Sequence, residues 1–343
     1  MIVYNLVLLN SKMKKIIQIK ISTIALFSVA LVSCNELPKN QPKQETTTTE
    51  IAAPYKQVSP IFNADSAYYF VEKQVSFGSR VTNSEPHKKC GDWMVSELKK
   101  YADNVIEQKA SITNFDNKKL NVRNIIAEIN PQAPTRILLC AHWDSRPYAD
   151  QDTKDTDKPI LGANDGASGV GVLMQIAKTL KQIPPSVGVD IVLFDAEDLG
   201  KPEHDNSYCL GSQYWSANLH KPGYKANFGI LLDMVGAPEA KFAWEQVSIE
   251  AAQTVLQSVW QTGHNLGYSN YFMYYQKSGI IDDHYYVNKI AKIPTIDIIH
   301  YDAASRTGFP NHWHTHNDNM SAIDKNTLKA VGQTLLEVIY TTK

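Results

Sequence analysis

The sequence predicts an α/β fold: a mostly parallel, twisted central sheet flanked by helices, in one domain. Three observations predict it. Apolar runs of strand length are nearly continuous rather than alternating, as in "TRILLCAHWDS" and "DIVLFDAED"; that pattern marks strands covered on both faces. Longer amphipathic stretches fall between these runs, as crossover helices must. Acids and histidines gather where the apolar runs end, and ligands of open α/β sheets collect beyond the carboxyl ends of strands.

The 343 residues, 43% of them hydrophobic, are ample for one large core. Net charge is −1 and no basic stripe is visible, so a nucleic-acid partner is not supported. The four cysteines, Cys34, Cys90, Cys140 and Cys209, form no CxxC pair, which argues against a cysteine zinc site.

The first segment reads as an address. In 13–34, "MKKIIQIKISTIALFSVALVSC", Lys14, Lys15 and Lys20 precede an apolar stretch. That stretch falls short of the roughly 20 residues a membrane span needs and suits a signal peptide. It ends in "LVSC", the pattern of a bacterial lipobox, with Cys34 as the lipidated residue. Residues 35–55 are rich in Pro, Gln, Thr and Glu, a composition for a disordered tether. The expectation is an exported bacterial lipoprotein, periplasmic or surface-facing, with its folded domain over 56–343.

Within that domain, 85–102 predicts a helix, with Trp93, Met94, Val95, Leu98 and Tyr101 at helical spacing. Residues 121–129 and 135–145 predict neighbouring strands. A helix follows over 167–183, stopped by Pro184 and Pro185. Strands are expected at 190–198, 228–237 and 293–299. A helix over 250–267 closes on a glycine, and a last helix over 324–343 takes Asp324 as N-cap.

Five positions at strand ends or in loops carry the chemistry. His142 and Asp144 share a strand face, so Asp144 can orient His142. Asp165 lies in the Gly-rich turn "GANDGASG". Asp195, Glu197 and Asp198 crowd one strand end, which demands compensation if buried. Asp233 ends the run "LLDMVG". His314 stands between His312 and His316. Together they form a hard N/O donor set, suited to zinc with an open position. Singly, each has a plainer reading: a helix cap or turn former for Asp165 or Asp233, a core histidine for His142, a solvated loop for the histidine cluster.

This order of motifs resembles the M28 zinc exopeptidase superfamily over about 65–340. "ILGANDGASGVGVLMQIA", "DAED", "LLDMVGA", "DDHYYV" and "WHTHNDN" look like a bacterial glutaminyl cyclase of the animal type. The resemblance implies one Zn2+ on Asp165, Asp198 and His314, and Glu197 as the acid/base. It also implies an acid network of Asp233, Asp282 and Asp297, with Trp313 and Phe309 as walls for the substrate. The reaction implied turns the N-terminal glutamine of peptides or proteins into pyroglutamate and releases ammonia. The alternative is a two-zinc M28 aminopeptidase, in which His142 and Asp233 would serve the second ion. The discriminator is Asp282, because aminopeptidases of the superfamily usually have Ser before the Asp-His pair; read alone, Asp282 suits a helix N-cap. Two departures stand out: Asp198 replaces the commoner Glu, and Val170 occupies the position of the cysteine that, in animal cyclases, is the disulfide partner of the one matching Cys140. Cys140 is therefore expected as a free buried thiol.

Overall fold

A computed structural model describes residues 55–343. The signal segment, Cys34 and all of the tether except Tyr55 lie outside the described residues. Order is established at once: the Tyr55 hydroxyl and the backbone N–H groups of Val58 and Ser59 all donate to Glu337.

The elements in chain order are α1 (Ala64–Val75), α2 (Glu85–Leu98), β1 (Asn104–Thr113), β2 (Lys119–Ile129), β3 (Arg136–His142), α3 (Ala167–Gln182), β4 (Gly188–Phe194) and α4 (Leu210–Ala217). Then follow β5 (Phe228–Asp233), β6 (Phe242–Glu245), α5 (Gln246–Asn265), β7 (Phe272–Lys277), α6 (Asp283–Tyr286), β8 (Thr295–Ile299) and α7 (Lys325–Thr341). The main sheet runs β1-β2-β4-β3-β5-β8. Pairs β4–β3, β3–β5 and β5–β8 are parallel; β1–β2 and β2–β4 are antiparallel. The mixed α/β architecture agrees with expectation, with two corrections. The strands expected to be neighbours, β2 and β3, are separated by β4. A second, two-stranded parallel sheet of β6 and β7 was not expected; these strands are short or largely exposed and carry little apolar signal.

Alternate residues of the buried strands feed two cores, one on each face. Leu139, Ile191, Leu193, Ile230 and Ile296 face α1, α3 and α7. Leu138, Cys140, Val192, Phe194 and Leu231 face Trp215 and Tyr224. Helix α3 packs tightly because position 169 is glycine: a Cβ there would meet the Leu232 carbonyl at 2.5 Å. Helix α5 begins earlier than its apolar pattern suggests, because the Glu245 carboxylate caps the N–H groups of Val247 and Ser248. Asp324 caps α7 as expected, accepting from Asn326 N–H. Among the described residues no helix is long and apolar enough to cross a membrane.

The parallel strands β3, β4, β5 and β8 end together on one side of the sheet. That side holds the acids and histidines singled out by the sequence.

Candidate active site

Left-handed backbone lies at or directly beside several of these side chains. Ala196, Met234 and His314 all hold left-handed backbone, at φ 56°, 50° and 55°. Such residues are uncommon without glycine and gather where surrounding structure over-determines them. Here the restraint is visible. The Asp144 carboxylate accepts N–H bonds from Glu197 at 3.0 Å and Asp198 at 3.2 Å. Its Oδ1 also lies 3.5 Å from His142 Nδ1. Asp144 thus clamps the acidic turn as well as facing His142. The third acid, Asp195, is a structural anchor: it accepts from Thr82 and His87 at 2.9 Å each and from Arg123 N–H at 2.7 Å.

The turn bearing Asp165 is fixed from two sides. Buried Arg80 donates to the carbonyls of Trp143, Leu161 and Gly162. Buried Asp318 accepts the N–H groups of Asn164 and Asp165 at 2.7 and 3.1 Å. The Asp165 carboxylate then stands between two histidines, with Oδ1 3.0 Å from His142 Nε2 and Oδ2 3.6 Å from His314 Nε2. His314 Nε2 is also 3.4 Å from Asp198 Oδ1, and its Nδ1 is 3.1 Å from Asp150 Oδ1. Arg146 links the two acids, at 2.9 Å from Asp198 Oδ1 and 2.8 Å from Asp150 Oδ2.

Asp165, Asp198 and His314 each bring one donor atom within 4.8 Å of the others, and all three are buried. His142, Asp165 and Asp233 form a second such group, sharing Asp165. Asp198 Oδ2 and Asp233 Oδ1 are buried with no hydrogen-bond donor. Unpaired buried carboxylate oxygens are costly, and a dication would satisfy them. The donor set is nitrogen and oxygen throughout, so these residues fit zinc.

Beside this group a cavity of about 310 Å³ is lined by Asp165, Glu197, Asp198, Asp233, Asp282 and His314. Phe309 and Trp313 also line it, with ring centroids 4.8 Å apart, and Trp313 stacks on His314 at 3.7 Å. Asp282 is the N-cap of α6, accepting Asp283 N–H at 2.5 Å, and it also faces the cavity. Asp297 does not reach the cavity. It lies fully buried in β8, grouped with Asp282 and His284. His284 in turn lies 3.0 Å from Glu245 Oε2.

Adjacent Glu197 and Asp198 are driven apart in acidity. Burial, with Asp198 and Asp282 adding to it, pushes the Glu197 carboxyl well above the usual range, although His142 opposes this. Burial acts on Asp198 too, yet His314 and Arg146 hold its carboxyl below the usual value. Burial and then the Asp233 charge raise Asp282 to about 6. Burial and Asp282 raise Asp297 well above the ordinary value. The two neighbouring carboxyls, Glu197 and Asp198, are thus pushed in opposite directions by their surroundings.

The model of peptidase family M28 matches residues 124–339. The chain belongs to this family. Bovine glutaminyl-peptide cyclotransferase is 25% identical over 266 residues, covering 68% of this chain and 70% of its own length. The structure of Tannerella forsythia glutaminyl cyclase is 48% identical, covers 83% of this chain and 100% of its own, and superposes with a TM-score of 0.81. A Bacteroides thetaiotaomicron structure described as a leucine aminopeptidase precursor is 47% identical, with 84% and 100% coverage and a TM-score of 0.80. As an M28 enzyme the chain is zinc-dependent.

The sequence reading missed Arg80, Arg146, Asp150 and Asp318, none of which marks a strand end. Arg146 and Asp150 were accessible in hindsight, standing four apart just after "HWDS". His312 and His316, grouped with His314 by sequence, serve the loop: His312 Nε2 meets Asn164 Nδ2 at 3.0 Å, and His316 N–H donates to Asp152. Cys140 is free and buried, as are Cys90 and Cys209.

Proposed function

We propose that this M28 enzyme is a glutaminyl-peptide cyclotransferase, closing the N-terminal glutamine of peptides into pyroglutamate with release of ammonia. The observation that carries the reading is the Asp282 carboxyl at the cavity. Asp282 faces the same space as Glu197 and Asp198, where an aminopeptidase would have no need of another protonatable acid.

In this reading Asp165, Asp198 and His314 hold one zinc ion, which when bound supplies a Lewis acid to polarise the substrate's γ-carbonyl. Glu197 takes a proton from the α-amine as that nitrogen attacks the γ-carbon, and returns a proton to the departing ammonia. Its raised affinity for protons suits both halves of the task. Asp282, protonatable near neutrality, holds the amide nitrogen of the side chain. Asp233 sits beside Asp282, and Asp297 supports it from behind without touching substrate. Phe309 and Trp313 wall the side chain and exclude water. The nucleophile belongs to the substrate, so no covalent enzyme intermediate is required.

The test is direct. Purified enzyme incubated with a Gln-peptide should release one ammonia per peptide and leave a product resistant to amine labelling. Free leucine from a Leu-peptide, with no ammonia from the Gln-peptide, would establish the aminopeptidase instead. The second donor group, His142, Asp165 and Asp233, favours that alternative, and a metal count of two per chain would support it.

The proposal extends to location. A lipid on Cys34 would anchor the domain, at 56–343, through the 35–55 tether on the periplasmic or outer face of a bacterial membrane. Cys34→Ala should release the protein into the soluble fraction; unchanged membrane association would refute the anchor.

A further inference from the structure

The thiol of Cys209 is fully buried and has no part in the chemistry above. Its Sγ lies 3.4 Å from Oε1 of Glu197. Among the described residues it is the only hydrogen-bond donor to that carboxyl. Two backbone bonds set the sulfur there: Cys209 N–H donates to the Glu197 carbonyl at 2.8 Å, and Leu210 N–H to the Ala196 carbonyl at 3.0 Å. The start of α4 is thereby buttoned onto the acidic turn. Cys209 itself holds left-handed backbone at φ 57°. Glycine adopts that conformation freely, whereas a side chain is kept there only against strain. The sulfur, Glu197 and Asp282 also bring donor atoms within 4.8 Å of one another.

We infer that Cys209 is a positioning residue for the reaction: its S–H, given to Oε1, fixes the Glu197 side chain and leaves Oε2 free for proton transfer. The inference rests on Glu197 being the acid/base. A thiol suits the task because it is a weak donor, able to orient a carboxylate without draining its basicity. Burial and the Glu197 carboxyl push the thiol well above its ordinary range, so it stays protonated and keeps its hydrogen.

The experiment compares Cys209→Gly, Cys209→Ser and Glu197→Gln, each assayed per zinc-loaded, folded chain. Glycine relieves the backbone strain and removes the donor; serine keeps a donor. Cys209→Gly should lose roughly 10- to 100-fold in kcat, the scale of a mispositioned group. Its KM and zinc content should stay at wild-type levels, and Cys209→Ser should recover most of the lost kcat. A Gly variant that turns over like wild type would overturn the inference, as would a Ser variant no better than Gly. Glu197→Gln separates the levels. If it is inactive while Cys209→Gly is unaffected, the inference alone fails; if it stays active, the acid/base reading itself is wrong.

Discussion

Strand β4 carries buried acids near both ends, and the two ends treat them differently. Asp190, near its start, is fully satisfied: Arg136 grips it from Nε at 2.7 Å and Nη2 at 2.5 Å, and the Tyr224 hydroxyl donates at 2.8 Å. Just past the other end, Asp195 is equally well bonded. Two and three residues farther, the pattern breaks. Glu197 accepts one weak thiol bond, and Asp198 Oδ2 accepts none. A buried acid with every oxygen paired is part of the scaffold. The two left short on this strand end, Glu197 and Asp198, both line the cavity. The difference lies in pairing, since all four residues are buried or nearly so.

That contrast can be broken by experiment. The largest expected effect is on turnover. Glu197→Gln should lower kcat by roughly 10²- to 10⁴-fold, the range for general acid–base groups, with zinc content unchanged by metal analysis and no drop in melting temperature. Asp190→Ala should do the reverse. Stranding Arg136 should cost about 3–5 kcal/mol of unfolding free energy in a denaturant titration, while kcat per folded molecule stays near wild type. Asp150→Asn weakens the hold on His314 and should reduce zinc affinity about 10- to 100-fold in chelator competition. A wild-type affinity would remove Asp150 from the metal site's support.

The smallest effect concerns Glu245. Burial opposes its ionisation, but the His284 bond, with the Val247 and Ser248 N–H groups, holds its carboxyl down at about 2, against an ordinary 4.5. The folded state therefore favours the charged form. Its contribution is complete above pH 4.5 and disappears as pH falls toward 2. Glu245→Gln should flatten the acid limb of a melting-temperature curve across that window. An unchanged slope would show that Glu245 is not the group being titrated.

Much of this was readable from the residues. Continuous apolar runs gave β3, β4, β5 and β8 because both faces of each are buried, and residue type then flagged the acids beyond them. Asp165, Asp198 and His314 do converge, and Trp313 and Phe309 do line the cavity. Other features left little trace. Strand β1 is an exposed edge with no strong apolar pattern. The supporting roles of Arg80 and Asp318 depend on which distant carbonyls and N–H groups they meet, and no spacing rule encodes that. Asp282 showed the limit of choosing between readings: it is both the helix cap that its position suggested and the cavity acid that the resemblance implied. Asp297 was assigned to the network and stands behind it rather than at the substrate surface.

The place of β4 between β2 and β3 has a consequence for assembly. Strands β2 and β3 are consecutive in the sequence, yet they are not neighbours in the sheet. In the finished sheet β4, which follows the α3 crossover, pairs with both of them. Long-range insertions of this kind are slow compared with local pairing. Asp198 lies in the turn just past β4, whereas Asp165 precedes α3 and His314 comes well after β8. The candidate donor group is therefore drawn from distant parts of the chain, and no short stretch of the sequence carries it whole.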